Sequence, residues 1–390
     1  MAKRSPPAKD PSRRASEKPS LLPLPPALFE HHGKTISQLL LQWEMQKHVP
    51  PVLLITGPAG VGKRSMVYFL SQWLLCEKSA FRRTPIQDLE LDLFGGLQKN
   101  TTSDSPHLEQ PCGECTHCQK AVKGHWVDFT EIAPGDGEVD SSNTLKIEQF
   151  RPLKASLGFG AFEGAFRIIL IRDADRMTPQ AANSLLKILE EPPAGWIFFL
   201  TVVDPSLLLP TLVSRCQKLR LTPFSPGQLQ DLLKDHDLSD EQRSLCANLA
   251  QGSWSKALTL ASDENLHRRE SIFQFLKNPH EELNSLLEWA AQEPSHLELL
   301  LNQFEQIVLD LLEWGLDPTR TVEMKWRNSD GRKTLEAHAH GVIRKLGSKN
   351  QARSFWLKCS ERLFRARQEA SGPLNRKILI QSILLPWLEV

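Results

Sequence analysis

Two uninterrupted apolar runs, Ile168-Ile169-Leu170-Ile171 and Trp196-Ile197-Phe198-Phe199-Leu200-Thr201-Val202-Val203, constrain this chain more than any other feature. A strand with one solvated face alternates apolar and polar residues. A continuous run suits a strand covered on both faces, as in a parallel sheet with helices on either side. Between the runs, Ala182, Leu185, Leu186 and Leu189 recur at the i, i+3, i+4, i+7 spacing of a helix face. Thr178 is placed to cap that helix, Pro179 suits its first turn, and Glu190-Glu191-Pro192-Pro193 ends it. Strand, helix and strand make a βαβ unit with a right-handed crossover. The alternating stretch 127–132 and the segment 217–221 read as further strands, so the fold class is α/β with a parallel sheet flanked by helices.

Val52-Leu53-Leu54-Ile55-Thr56 is another buried-strand pattern. It runs into Gly57-Pro58-Ala59-Gly60-Val61-Gly62-Lys63-Arg64-Ser65, and a helical pattern follows at Met66, Phe69, Leu70, Trp73 and Leu74. This is the setting of a phosphate loop. Gly57, Gly60 and Gly62 would let backbone N–H groups turn onto phosphate oxygens at a helix start, and Lys63 would reach the outer phosphates. The next position, where a Ser or Thr hydroxyl holds magnesium, is Arg64, and Ser65 comes one residue late. Two readings stay open: a site for ATP or ADP, and a glycine turn with no ligand.

The chain has seven cysteines, an odd number. Three of them, Cys112, Cys115 and Cys118, form two nested CxxC steps, which speaks for structural zinc with leftover thiols and against a disulfide framework. Zinc needs a fourth ligand, and His117 and His107 are near in sequence. Composition excludes other classes. A formal charge of +1 gives no overall field for nucleic acid, and no apolar run reaches membrane-spanning length, so the expected setting is the cytoplasm. Residues 1–26 are basic, proline-broken and poor in apolar side chains, and read as a disordered tail.

Ala182-Asn183-Ser184-Leu185-Leu186-Lys187-Ile188-Leu189-Glu190-Glu191-Pro192-Pro193, followed by Ser214-Arg215-Cys216, resembles the clamp-loader branch of the AAA+ proteins. The resemblance runs from about Leu28 to Ala261 and more faintly onward, with Leu374-Asn375-Arg376 similar to the family's last helix. It implies an AAA+ nucleotide-binding-type domain over 27–222 that includes a zinc module, 76–118. A small helical lid over 223–262 and an all-α collar over 263–390 would follow. The apolar stripes at 297–312, 352–359 and 380–387 would build the collar's core and its subunit interface. In the family the fourth zinc ligand is a cysteine at the end of the helix after the phosphate loop, which is Cys76 here. The intervening stretch 77–111 is longer than the family's connection, so the histidines remain alternatives to Cys76.

After Ile171 an ATPase of this kind places an Asp to order the magnesium shell and a Glu to polarise water. Here those positions carry Arg172 and Asp173, with Asp175 two residues on and a flexible glycine-rich stretch, 158–164, upstream. Arg64 and Arg172 thus bring the wrong charge to one cation. In the family the arginine at position 215 reaches the triphosphate of the neighbouring subunit, and Cys216 is a packing residue. The resemblance therefore implies a subunit that hydrolyses nothing itself and donates Arg215 in trans. It would work with motor and clamp-opening subunits to load a sliding clamp onto primed DNA, within the DNA polymerase III holoenzyme. The rivals are an active AAA+ ATPase, against which also speaks the lack of an arginine in Gly252–Ala257, and a zinc-binding nucleic-acid module, which would want a basic stripe beside Cys112–Cys118.

Overall fold

The computed structural model describes residues 26–78, 110–135, 144–316, 326–370 and 375–388. The basic tail, apart from Pro26, and also His107 and Leu374 lie outside the described residues. The chain divides into two compact units, 1–222 and 223–390.

In the first unit the elements are α1 (Pro26–Gln46), β1 (Val52–Thr56), α2 (Lys63–Leu75), α3 (Thr116–Val122), β2 (Phe129–Ile132), α4 (Arg151–Ala155), β3 (Arg167–Ile171), α5 (Pro179–Glu190), β4 (Trp196–Val202), α6 (Pro210–Val213) and β5 (Gln217–Arg220). The five strands are all parallel, in the order β2-β3-β4-β1-β5. Every residue of β1 and β4 is buried, and so are the last four of β3. On one face Leu54, Ile169, Phe198 and Leu200 pack with Ala181, Leu185 and Ile188 of α5. Leu53, Ile55, Leu170 and Phe199 alternate with them, are equally buried, and point to the opposite face, where α2 meets β4. Each such side chain contributes about 1.5–3 kcal/mol relative to exposure, so the two layers fix the register of the central strands.

Local chemistry sets the ends. Thr178 caps α5 by accepting from the Ala181 N–H at 3.3 Å, and Pro179 opens it. The last apolar run stops short, since Val203 is 47% exposed and outside β4. The segment 147–155 folds as a 3₁₀ turn, Ile147–Phe150, followed by the short α4. The glycine-rich stretch 158–164 differs from the flexible segment its composition suggests. The carboxylate of Asp128, 1% exposed, accepts from the N–H groups of Phe162, Glu163 and Gly164 at 2.6, 2.8 and 2.8 Å. Lys120 of α3 pairs with Glu163 at 2.7 Å, so the stretch is fastened to its surroundings twice.

The second unit is helical: α7 (Pro226–Leu232), α8 (Asp240–Leu249), α9 (Trp254–Leu260), α10 (Asp263–Lys277), α11 (Pro279–Gln292), α12 (Pro294–Leu316), α13 (Arg332–Leu346), α14 (Lys349–Glu369) and α15 (Arg376–Leu388). The apolar stripe of α12 is its centre, with Leu300, Phe304, Ile307 and Leu311 fully buried against α14 and Trp387 of α15. A buried polar knot fastens the segment before α13. Arg269 holds Asp330 and Asn328, and Asn328 and Arg327 hold Asp310.

Replacing Asp128 by Ala leaves the partly buried N–H groups of Phe162, Glu163 and Gly164 without their acceptor. The expected loss is about 2–4 kcal/mol of stability, read as a lower urea midpoint, with faster amide exchange at Phe162–Gly164.

Candidate functional site

Because the strands are parallel, the segments that follow β1, β3 and β4 leave the sheet along one edge, where open α/β sheets bind ligands. The loop Gly57–Gly62 follows β1 there. Gly62 has φ 93°, and a Cβ on it would lie 2.9 Å from a methyl carbon of Leu28. At Gly57 a Cβ would lie 2.6 Å from the carbonyl oxygen of Leu221. Both glycines are therefore required by packing as well as by any phosphate. Lys63 opens α2 and turns back, its Nζ donating to the carbonyls of Gly57 and Pro58 at 2.7 and 2.8 Å. Burial lowers its pKa, against the pull of the nearby Asp173 and Asp175 carboxylates. Ser65 lies in the first turn of α2.

Arg64 and Arg172 converge on one carboxylate. Arg64 Nη2 donates to Glu131 Oε2 at 2.9 Å, and Arg172 Nη1 donates to Glu131 Oε1 at 3.1 Å. Tyr68 donates its hydroxyl to Oε2 at 2.6 Å while accepting from Arg64 Nε at 2.6 Å. Burial and the bond to Glu131 raise the Tyr68 pKa, which keeps the phenol a donor. For Arg64, burial opposes the charge, and Glu131 and Tyr68 more than compensate. Sequence reasoning missed Glu131 and Tyr68. The available signal was the pair of arginines itself, because two partly buried cations side by side call for a counter-charge.

Asp173 follows β3 in a left-handed conformation, φ 47°, with its N–H donating to Thr201 Oγ1 at 3.2 Å. Asp175 accepts from the Val203 N–H at 3.2 Å. Arg215 lies elsewhere. It precedes β5, so it belongs to the edge opposite the glycine loop, about 16 Å away for a five-residue strand at about 3.3 Å per residue. Its guanidinium donates to the Thr211 carbonyl at 2.7 Å and to Glu190 Oε1 at 3.1 Å, and remains 38% exposed. Beside it Cys216 has its pKa pushed up to about 11 by burial, which removes any nucleophilic thiolate.

The structure brings Cys76, Cys112, Cys115 and Cys118 together, with all four sulfurs within 4.8 Å of one another. Cys76 ends α2, and Cys115 caps α3. A tetrahedral zinc with Zn–S bonds of about 2.3 Å needs sulfur separations of roughly 3.8 Å, and Cys112 and Cys118 stand at 4.0 Å. Backbone N–H groups of Cys112, Cys115 and Cys118 point at neighbouring sulfurs at 3.3–3.5 Å, which favours thiolate. Burial works against ionising Cys112, but N–H groups of Cys115 and Glu114 bring it down to about 7, whereas burial raises Cys76 and Cys118. His117 is not part of the set; its Nε2 lies 3.9 Å from Glu77. The donor set suits zinc, and four protein ligands leave no open position for chemistry.

A family model described as "DNA polymerase III, delta subunit" matches residues 91–225. The chain is 27% identical to the DNA polymerase III subunit delta' of Pseudomonas aeruginosa over 339 residues, 86% of this chain and 90% of that protein. It is 32% identical to subunit delta' of Escherichia coli over 226 residues, 57% of this chain. The chain is thus similar to the delta' subunits of DNA polymerase III from three bacteria, that of Bacillus subtilis among them. The match spans only 58% of the E. coli protein. Subunit tau of E. coli is 29% identical over 213 residues, covering 53% of this chain and 28% of tau. Among solved structures, a gamma subunit-related protein of Thermotoga maritima aligns over 89% of this chain and 97% of its own, at 19% identity and a TM-score of 0.41.

Elemental analysis of the purified chain is expected to give one zinc per molecule, with the ion lost in Cys115→Ser and in Cys76→Ser. Full zinc content in Cys76→Ser would remove that residue from the ligand set. Glu131→Gln leaves two guanidiniums without their counter-charge and is expected to cost about 1–3 kcal/mol in denaturant melts.

Proposed function

We propose that this chain is the non-hydrolysing, delta prime-like subunit of a DNA polymerase III clamp loader. The observation that carries this reading is the shared carboxylate. Catalysis of phosphoryl transfer depends on placing magnesium between phosphate oxygens, and here the hydroxyl and carboxylate that would hold the ion are Arg64 and Arg172, both committed to Glu131. No enzymatic turnover by the chain alone follows. Lys63, bonded to its own loop, is consistent with a site that needs no ATP or ADP to keep its shape.

The chemistry assigned to the chain is exerted on a neighbour. Arg215 stands at the sheet edge remote from its own glycine loop, partly exposed and held by the Thr211 carbonyl and by a solvent-facing pair with Glu190 worth at most about 1 kcal/mol. It is free to swing to the triphosphate of an adjacent motor subunit and steady transition-state charge. The cysteine set would hold structural zinc beside that edge. Residues 223–262 would serve as the lid and 263–390 as the collar that joins motor and clamp-opening subunits. The assembled complex would open a sliding clamp and close it around primed DNA in the cytoplasm. No described helix is long and apolar enough to cross a membrane. For residues 1–26 the proposed role is a solubilising tail.

The isolated chain is expected to show no ATPase above background; turnover abolished by Lys63→Ala would establish the motor reading instead. An arginine finger supplied in trans contributes roughly 10³ to 10⁵ in rate at its site. In a reconstituted loader, Arg215→Ala is expected to leave assembly intact, lower clamp-stimulated ATPase in part, and slow loading of a labelled clamp onto primed DNA more strongly. Equal loading rates with assembly verified would reduce Arg215 to a structural residue.

A further inference from the structure

The helical unit holds a cavity of 710 Å³, walled by the end of α10, the start of α11, one face of α13 and the end of α15. Three of its lining residues are the lysines 277, 333 and 345; among the described residues they have no ion-pair partner, and no carboxylate lines the cavity. At its inner wall His338 lies beside the backbone of Leu276, in the last turn of α10, where helix carbonyls lack internal partners. Its Nε2 is buried and has no partner among the described residues. Burial lowers the His338 pKa to about 4, so the ring is neutral, and in the tautomer with its proton on Nδ1 the Nε2 atom is a bare acceptor. The ring lies against Trp387, centroids 5.4 Å apart.

Gly341 gives a second, independent indication. A glycine inside a helix costs about 1 kcal/mol relative to alanine, and a Cβ at this position would meet nothing within 4 Å. Packing within the unit does not call for it. Its effect is to leave bare helix backbone as part of the cavity wall.

We propose that this cavity binds a short acidic peptide segment of a partner protein, with carboxylates on Lys277, Lys333 and Lys345, a backbone N–H on His338 Nε2, and the chain lying across Gly341. The volume falls within the range of about 300–1,000 Å³ usual for specific ligand clefts and suits a few residues. Charge alone would also admit a phosphodiester backbone, but that backbone offers only acceptors and would leave Nε2 unsatisfied. A peptide supplies carboxylates and N–H donors together.

Random heptapeptides displayed on phage and selected on the full chain test this. Selected pools are expected to be enriched in Asp and Glu, and a synthetic, fluorescein-labelled winner should bind with an affinity read by anisotropy. Gly341→Leu, which fills the floor, and the triple variant Lys277→Glu, Lys333→Glu, Lys345→Glu should each weaken binding at least about tenfold, or about 1.4 kcal/mol, with helical circular dichroism unchanged. Gly341→Met is the substitute if the Leu variant fails to fold. Pools without acidic enrichment, or affinities unchanged in the variants, would overturn the proposal. A labelled single-stranded oligonucleotide that binds more tightly than the peptide with the same dependence on Gly341 and the lysines would overturn it in favour of nucleic acid.

Discussion

The burial of β1, β3 and β4 on both faces is the constraint from which the first unit follows. Strands with no solvated face need helices above and below, and helical crossovers in turn make the strands parallel. Parallel strands sort every connection to one of two edges. The glycine loop, Arg172 and Asp173 fall at one edge because they follow strands. Arg215 falls at the other because it precedes one, and α2, running back across the sheet, delivers Cys76 to that second edge. The separation of the phosphate-type loop from Arg215 is thus a consequence of hydrophobic layering.

Charge at the first edge obeys a different economy. Two guanidiniums side by side would repel each other in a partly dehydrated crevice. Glu131, 13% exposed at its side chain, accepts from both, and the buried Tyr68 hydroxyl completes the set. The cluster holds α2, β2 and the end of β3 together without an ion. The crevice is thus ordered by its own side chains.

The second edge carries the features directed outward. Four sulfurs tie α2 to α3, and the Lys120–Glu163 pair and the Asp128 carboxylate tie α3 and β2 to the stretch before β3. Gly164 sits so close to Leu75 that a Cβ would approach to 2.6 Å, which places this stretch directly on the end of α2. Cysteine cluster, ion pair and buried carboxylate together fasten a surface that a small core alone would leave loose. In the helical unit the corresponding device is polar and internal, the Arg269–Asp330–Asn328–Asp310 knot that seats the segment leading into α13.

Much of this was present in the linear chain. The apolar runs determined the buried strands, Thr178 and Pro179 the start of α5, and the CxxC steps the metal-type site, because each is a local pattern whose physics acts over a few residues. The departure of positions 64 and 172 from a hydroxyl and a carboxylate was legible for the same reason. What only the tertiary structure decided was partnership across the chain. Glu131 lies 67 residues from Arg64 and 41 from Arg172, Cys76 joins sulfurs 36 and more residues on, and Asp128 turns a glycine-rich stretch that composition marks as loose into a fastened one. The cavity under Lys277, Lys333 and Lys345 likewise depends on the ends of α10 and α15 meeting one face of α13. Such contacts carry no periodicity or spacing, since they are set by how the elements pack and not by the order in which residues follow one another.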